Sequence, residues 1–512
     1  MEVSNNKRIA RNTFALYMRM AFVMGVTLYT SRIVLKELGV NDYGLYNVIG
    51  GIVVLLSFLN GAMAVTTQRF LSYEMGNDDT NRLRITFTQT LIVHVLIALT
   101  ALGLAETIGL WFILNKLVIP TGQETAAFWV YQISVLSFLI SIIQAPFNAA
   151  IISNERMSIY AYFSIFEVIG KLIIAWSLSQ FNNNRIIWYA VLILIVNLLI
   201  GVAYTIYSCL KFRECRPIRK IETTIIKNLV GFAGWSLFGA VAWAAKGQGL
   251  NVLLNLFFGT AVNAAYGVAN QVNVAINSFV QNFSTAIAPQ IVKTYSVGDY
   301  QQTNRLIYSG SKISFLLLLI IAFPIYACIN PILAIWLVEV PTYSASFIRL
   351  ILIISLLESF TFAIGTAIQA TGKIRMYQTV VGLTLLMSLP LSWLFLKIGF
   401  DANIIFYISI VISLIALILR LGILKKNIPS FSLRKYIKQV FLPATVIMAL
   451  CGFSLFVGSL IEEPTSESIL IQLPTYFLIG LLFVLMLGMN SQEREHILSL
   501  IRKRLLKNNT KS

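Results

Sequence analysis

Stretches of about twenty apolar residues recur from one end of this chain to the other, and no other feature restricts its folding so strongly. Each is long enough to cross a hydrocarbon core ~30 Å thick as an α-helix, which satisfies its own backbone hydrogen bonds in lipid. Fourteen can be read, at about 11–33, 45–71, 86–112, 125–151, 158–180, 185–210, 229–257, 262–291, 307–336, 343–370, 376–398, 402–424, 438–460 and 470–489. Their apolar residues run on without the alternation of a β-barrel strand. The expected class is therefore an all-α polytopic membrane protein of about 14 transmembrane helices. Only 12% of the 512 residues are charged and 57% are hydrophobic. Soluble domains carry roughly twice that share of charge. The first stretch is too long for a signal-peptide apolar region, and no small-x-small cleavage site follows it, so it is expected to remain as a span.

The formal charge of +18 is explained by where the basic residues fall. With an even number of spans and both termini cytoplasmic, the clusters Lys7/Arg8/Arg11, Lys211–Lys227, Arg420–Lys438 and Arg494–Lys511 all lie on the cytoplasmic side. The opposite side keeps Arg32, Lys36, Lys116, Arg185 and Lys397, with an acidic Glu462/Glu463/Glu467 loop. This is the positive-inside pattern. The excess charge reads as topology and contact with anionic lipid, and no nucleic-acid partner is expected. Cys209, Cys215, Cys328 and Cys451 show neither a disulfide framework nor metal-ligand spacing, and His94 and His496 are the only histidines. No metal and no cofactor are expected. There is no Gly-rich phosphate loop, so direct ATP use is not expected either.

The chain repeats itself. "YGLYN" (Tyr43–Asn47) and "YGVAN" (Tyr266–Asn270) are 223 residues apart, as are the two copies of "TNRL", Thr80–Leu83 and Thr303–Leu306. A weaker echo links "AAIISNERM" (Ala149–Met157) with "TAIQATGKI" (Thr366–Ile374) at an offset of 217. These echoes divide the chain into an N-lobe of six spans (1–215), a basic linker (216–228), a C-lobe of six spans (229–428), and two appended spans with a basic tail (429–512). Halves with an even number of spans enter the membrane in the same sense, an arrangement that secondary transporters use for alternating access.

Several phrases resemble a known family. "SRIVLKELGVNDYGLYNVIGG" (Ser31–Gly51) and "FLNGAMAVTTQRFLSYEMG" (Phe58–Gly76) look like spans 1 and 2 of polysaccharide-repeat flippases of the Wzx type. "KGQGLNVLLNLFFG" (Lys246–Gly259) is similar to that family's span-7 pattern NQGxNxLLNxFFG, and "FSTAIAPQIVKTY" (Phe283–Tyr295) to its span 8. These flippases belong to the multidrug/oligosaccharidyl-lipid/polysaccharide (MOP) exporter superfamily. The resemblance covers the whole chain, and its motifs identify a fold better than a cargo. It implies two six-helix, MATE-like lobes around a central cavity lined by spans 1, 2, 7 and 8. Spans 13 and 14 would form a lipid-facing groove. It also implies a non-enzymatic, monomeric transporter of the bacterial inner membrane. Its cargo would be undecaprenyl-pyrophosphate-linked oligosaccharide, moved between leaflets for O-antigen, lipopolysaccharide or capsule synthesis.

Ionisable groups at membrane depth are functional candidates. Asn12, Arg19, Val26 and Thr30 share one face of the first span, a narrow polar stripe in which Arg19 either lines a cavity or snorkels to the interface. Lys246 lies in span 7, and Arg19 shifted by 223 falls at Ala242, one turn away on the same side. The two cations are candidates for the pyrophosphate, although a lysine at this position departs from the family's usual pattern. Arg32 and Lys36 at the outer end of span 1, and Arg69 at the inner end of span 2, are further candidates or ordinary interfacial residues. Glu167 and Lys171 are either an i,i+4 packing pair or a proton or sodium site. Glu358, with no partner on its own helix, is either a proton carrier or a satisfied structural carboxylate. His94 reads as a packing residue and Asp42 as a helix cap. Pro146, Pro289, Pro324 and Pro390 should bend their spans.

Two other functions compete. A multidrug exporter of the same superfamily would carry acidic cavity residues for organic cations, which spans 1, 2, 7 and 8 lack. A membrane glycosyltransferase or polymerase would need a large outer loop, and none is present.

Overall fold

The computed structural model describes residues 2–488 apart from short stretches at 55–56, 78, 116–121, 182, 338–339, 462–464 and 466–467. The described residues form helices and turns, with no strand among them. Eleven helices among them are long and apolar enough to cross a membrane, with mean window hydropathies from 1.4 to 2.7. The apolar stretches read from the sequence are mostly helical over their described parts, with turns inside them at Cys328, Phe360 and Met387. The loop Glu462/Glu463/Glu467, Lys116 and the tail 489–512 lie outside the described residues.

The chain packs as two compact units. The first comprises Met1–Val241, Thr285–Asp299 and Gln369–Thr379. It contains α1 (Glu2–Val54), α2 (Ser57–Gly76), α3 (Thr80–Leu104), α4 (Leu110–Asn115), α5 (Glu124–Ser153), α6 (Met157–Ser177) and α7 (Arg185–Lys211), and both ends of α8 (Thr223–Ser296). Asp79 caps α3 by accepting from the Arg82 amide at 3.0 Å. A π-helical turn, Ala105–Gly109, joins α3 to α4. Tyr131 on α5 donates to the Ala105 carbonyl at 2.7 Å, in addition to the Leu110 amide that this wider turn brings to the same oxygen. Leu71 packs among Leu83, Phe87, Phe147 and Tyr204, which binds α2 to α3, α5 and α7. Leu16 packs on Met157, and Val34 on Ala175 and Leu178, so α1 runs parallel to α6. Pro146 lies inside α5 and Pro289 inside α8.

The second unit comprises Ala242–Ser284, Tyr300–Ile368 and Val380–Ser512. After the middle of α8 come α9 (Tyr300–Ala327), α10 (Ile329–Trp336), α11 (Ser344–Ser359), α12 (Thr361–Ala370), α13 (Arg375–Leu386), α14 (Ser388–Ile398), α15 (Ile404–Asn427), α16 (Leu433–Tyr436), α17 (Leu442–Ile461) and α18 (Ile469–Phe483). As one straight rod, the 74 residues of α8 would run about 110 Å. The rod is not straight, because the Tyr266 hydroxyl donates to the Gly247 carbonyl 19 positions earlier, at 3.1 Å. The chain therefore doubles back between these residues, as a pair of spans requires. Phe315 and Phe360 stack with centroids 4.7 Å apart at the junction of α9 with α12, where Ser311 donates to the Phe360 carbonyl.

The two loops linked by the 217-residue echo share an uncommon backbone form. Glu155, between α5 and α6, has φ +57°, and Gly372, between α12 and α13, has φ +75°. The echo offset maps one onto the other. Left-handed backbone costs a residue with a Cβ about 1–2 kcal/mol, so glycine suits the second turn and Glu155 must be held by its contacts.

Candidate functional site: two cavities and a clasp in the first unit

Two cavities open inside the first unit. One, of about 450 Å³, lies among α2, α5, α6 and α7. Five carboxamides face it: Asn60, Gln68, Gln144, Asn148 and Asn197. Tyr160 and the Glu167–Lys171 pair, 2.6 Å apart, complete its polar wall. The carboxamide oxygens of Asn60 and Asn148 are buried and accept no hydrogen bond among the described residues. The Arg19 guanidinium lies over the Tyr160 ring at 4.7 Å, and its buried Nε has no hydrogen-bond partner among the described residues. The polar stripe of α1 thus faces α6. On the same stripe, buried Asn12 donates to the Glu155 carbonyl at 3.2 Å, and Thr30 donates back to Val26 of its own helix.

The second cavity, about 510 Å³, is basic. Arg69, Lys227, Lys373 and Arg375 line it, and no carboxylate does among the described residues. Its apolar wall is aromatic, with Phe70, Phe232 and Trp235. The Arg375 guanidinium sits 5.3 Å over Trp235. Arg69 is already engaged: its Nε donates to the Gln369 carbonyl at 3.1 Å and its Nη2 to the Ala370 carbonyl at 2.9 Å. Lys227, Lys373 and Arg375 are exposed and available.

Opposite this cation-to-carbonyl grip stands a second one. Buried Glu155 accepts from Lys293 Nζ at 3.0 Å and from Gln290 Nε2. Gly76 allows α2 to reach the end of α8, since a Cβ there would fall 2.7 Å from the Lys293 carbonyl.

In the second unit the sequence candidates pair off. Lys246 Nζ and Glu358 Oε1 are 3.8 Å apart, with 11% and 27% of their side chains exposed. Glu358 therefore has a partner, supplied by α8, and Lys246 has its charge largely answered. A turn away from Glu358 on α11, Ser355 donates to Asn273 Oδ1 at 2.9 Å, and Asn277 donates to the same oxygen. His94 is fully buried and its Nδ1 lies 2.8 Å from the Thr90 carbonyl of its own helix, a packing arrangement. Asp42 accepts from Gln123 Nε2 at 2.6 Å, and so ties α1 to the start of α5. Lys36 is exposed on α1, and the side chain of Arg32 lies outside the described residues.

Sequence reasoning did not single out Lys227, Lys373 and Arg375, ordinary helix-end and loop cations until the fold brings them around two aromatic rings of α8. It also missed Asn60, Gln144, Asn148 and Asn197. The signal was present as amides inside three apolar stretches, Asn60 in one, Gln144 and Asn148 a turn apart in a second and Asn197 in a third, where each costs free energy without a partner.

No protein-family model and no curated protein sequence matches the chain. Solved structures do. A multidrug resistance MATE family transporter of the MOP superfamily, in an outward-facing conformation, superposes with a TM-score of 0.72 at 13% identity over 83% of this chain and 96% of that one. A MOP superfamily transporter from Pyrococcus furiosus, described as having a binding pocket of reverse polarity, gives 0.70 at 12% identity over 83% and 96%. MATE in its straight conformation gives 0.69 at 13% over 83% and 97%. The fold is that of MATE transporters of the MOP superfamily.

Proposed function

We propose that the protein is a flippase for undecaprenyl-pyrophosphate-linked oligosaccharides, carrying repeat units from the cytoplasmic to the periplasmic leaflet of a bacterial inner membrane for surface polysaccharide. The observation that carries this reading is the basic cavity, with Arg69, Lys227, Lys373 and Arg375 and no acid among the described residues. A lipid pyrophosphate is a multiply charged anion, and guanidinium and ammonium groups are its natural partners where the dielectric is low. An organic cation would be repelled there. The aromatic wall formed by Phe70, Phe232 and Trp235 suits the first isoprene units behind the headgroup.

In this reading the termini and basic clusters are cytoplasmic, so the basic cavity is the loading side. Arg19, on the Tyr160 ring, receives the headgroup deeper in the first unit. The lobes 1–215 and 229–428, joined by 216–228 and followed by 429–512, rock about the cargo, and an ion gradient or the membrane potential drives the return. Lys246 and Glu358 act as one charge-compensated pair, a place where proton or sodium coupling can alter the pairing. Glu167 and Lys171 serve the carboxamide cavity. A multidrug exporter is the second reading, favoured by the MATE fold itself.

The test is genetic. In a strain lacking the protein, the wild-type chain restores surface polysaccharide, and Lys227→Ala/Lys373→Ala/Arg375→Ala restores none while inserting normally. Arg19→Ala behaves likewise. Wild-type polysaccharide with both variants, or energy-dependent export of an organic cation such as ethidium, sinks the flippase reading.

A further inference from the structure

The carboxamide cavity poses a problem that the basic one does not. A carboxamide in a transmembrane helix is stable only if its donors and acceptor are answered. One such answer is seen in the second unit, where Asn273, Asn277 and Ser355 bond to one another. In the first unit the amides face about 450 Å³ of space, and the buried oxygens of Asn60 and Asn148 have no donor among the described residues. That volume falls within the range of small-molecule sites, roughly 300–1,000 Å³.

From this we infer that the cavity among α2, α5, α6 and α7 is a saccharide subsite, which takes one part of the cargo's glycan while the pyrophosphate is held elsewhere. This inference rests on the flippase reading and deepens it. A sugar hydroxyl both donates and accepts, and so does a carboxamide, so an amide wall matches a polyhydroxylated ligand in either sense. The oxygens of Asn60 and Asn148 are open to donors from a ligand. Hydroxyl groups supply them; a drug-like cation without N–H groups does not. The Glu167–Lys171 pair adds a charged acceptor and donor with zero net charge, which a neutral sugar tolerates. Tyr160 couples the subsite to the headgroup, because it lines the cavity while its ring carries Arg19. Pyrophosphate and first sugar are covalent neighbours, and Arg19 and the amide wall are neighbours too.

The experiment uses the full-length protein in its own membrane. A benzophenone amino acid replaces Asn148 in one variant and Asn197 in a second, and lipid-exposed Leu478 in a control. After illumination, the adducts are analysed by mass. The expected result is an adduct bearing saccharide at 148 and 197, and phospholipid alone at 478. Absence of saccharide from both cavity positions, in protein that has inserted, overturns the subsite. Independently, Asn60→Leu/Asn148→Leu lowers surface polysaccharide about tenfold or more, the worth of one or two lost hydrogen bonds. Unchanged polysaccharide in that double variant also overturns it. If the subsite fails while Lys227→Ala/Lys373→Ala/Arg375→Ala still abolishes polysaccharide, the flippase reading stands without it. If that triple variant is also fully active, both fall.

Discussion

The turn at Glu155 and the turn at Gly372 occupy matching places in the repeated phrases, yet each is gripped by a different chemistry. At the first, a lysine and a glutamine of α8 hold a buried carboxylate. At the second, Arg69 of α2 holds two backbone carbonyls. Each grip joins a segment before residue 216 to one after residue 228, and each places a cation on the left-handed turn. The acceptors differ, and that difference decides what happens when a grip is lost. A carbonyl at the C-terminal end of a helix turns to water at little cost. A carboxylate with 1% of its side chain exposed does not. The Glu155 grip is therefore structural as long as it is closed, whereas the Arg69 grip can open and close cheaply.

The largest effect should follow Lys293→Met. Removing one partner of a buried ion pair weakens the compensation of the remaining charge, which costs up to about 3–5 kcal/mol. Thermal unfolding of the purified protein should show that loss, and adding Glu155→Gln should recover most of it. If Lys293→Met unfolds at the wild-type temperature, the carboxylate is not buried in the working protein and the contrast between the grips collapses.

Arg69→Ala comes next. It removes two charge-assisted hydrogen bonds worth about 1.5–3 kcal/mol each at most, less whatever water restores. It also removes a guanidinium from above the Phe70 ring, 4.6 Å away. The expected loss of stability is about 1–2 kcal/mol, below that of Lys293→Met, and Arg69→Lys should recover only part because a lysine cannot reach both carbonyls from one planar group. A larger loss than that of Lys293→Met would reverse the ranking of the two turns.

The membrane class and the helical stretches were legible because burial in lipid imposes length and composition locally, one span at a time. The repeat was legible because "TNRL" and "YG" are rare words in an apolar alphabet. The charge pairings were not. Lys246 and Glu358 lie 112 positions apart in the sequence, so Glu358 looked unpartnered on its own helix and acquired a partner only when α8 doubled back. The amide cavity was hidden for the same reason: Gln144 and Asn148 share a face of one stretch, but only the packing of α2, α5 and α7 turns them to a common space with Asn60 and Asn197. Arg69 was singled out for its charge, but its distance to Gln369 and Ala370 could not be read from spacing. Pairings between distant helices depend on tertiary packing, which local pattern does not carry.

The smallest effect isolates the backbone. Gly372→Ala adds a Cβ at φ +75°, a conformation that costs a side chain about 1–2 kcal/mol. The added Cβ would also meet Arg69 Nη2 at 3.0 Å, close enough that the guanidinium must give way slightly. The outcome should be a drop in thermal stability of about 1 kcal/mol, with Gly372→Asn milder because asparagine tolerates the left-handed region. At the matching turn, Glu155→Gly would relax the same backbone but leave Lys293 without its carboxylate, so its net effect should be destabilising. The same backbone geometry thus predicts opposite preferences: glycine is best at 372 and harmful at 155. If Glu155→Gly stabilises the protein, backbone strain outweighs the Lys293 and Gln290 contacts, and the carboxylate is not what holds that turn.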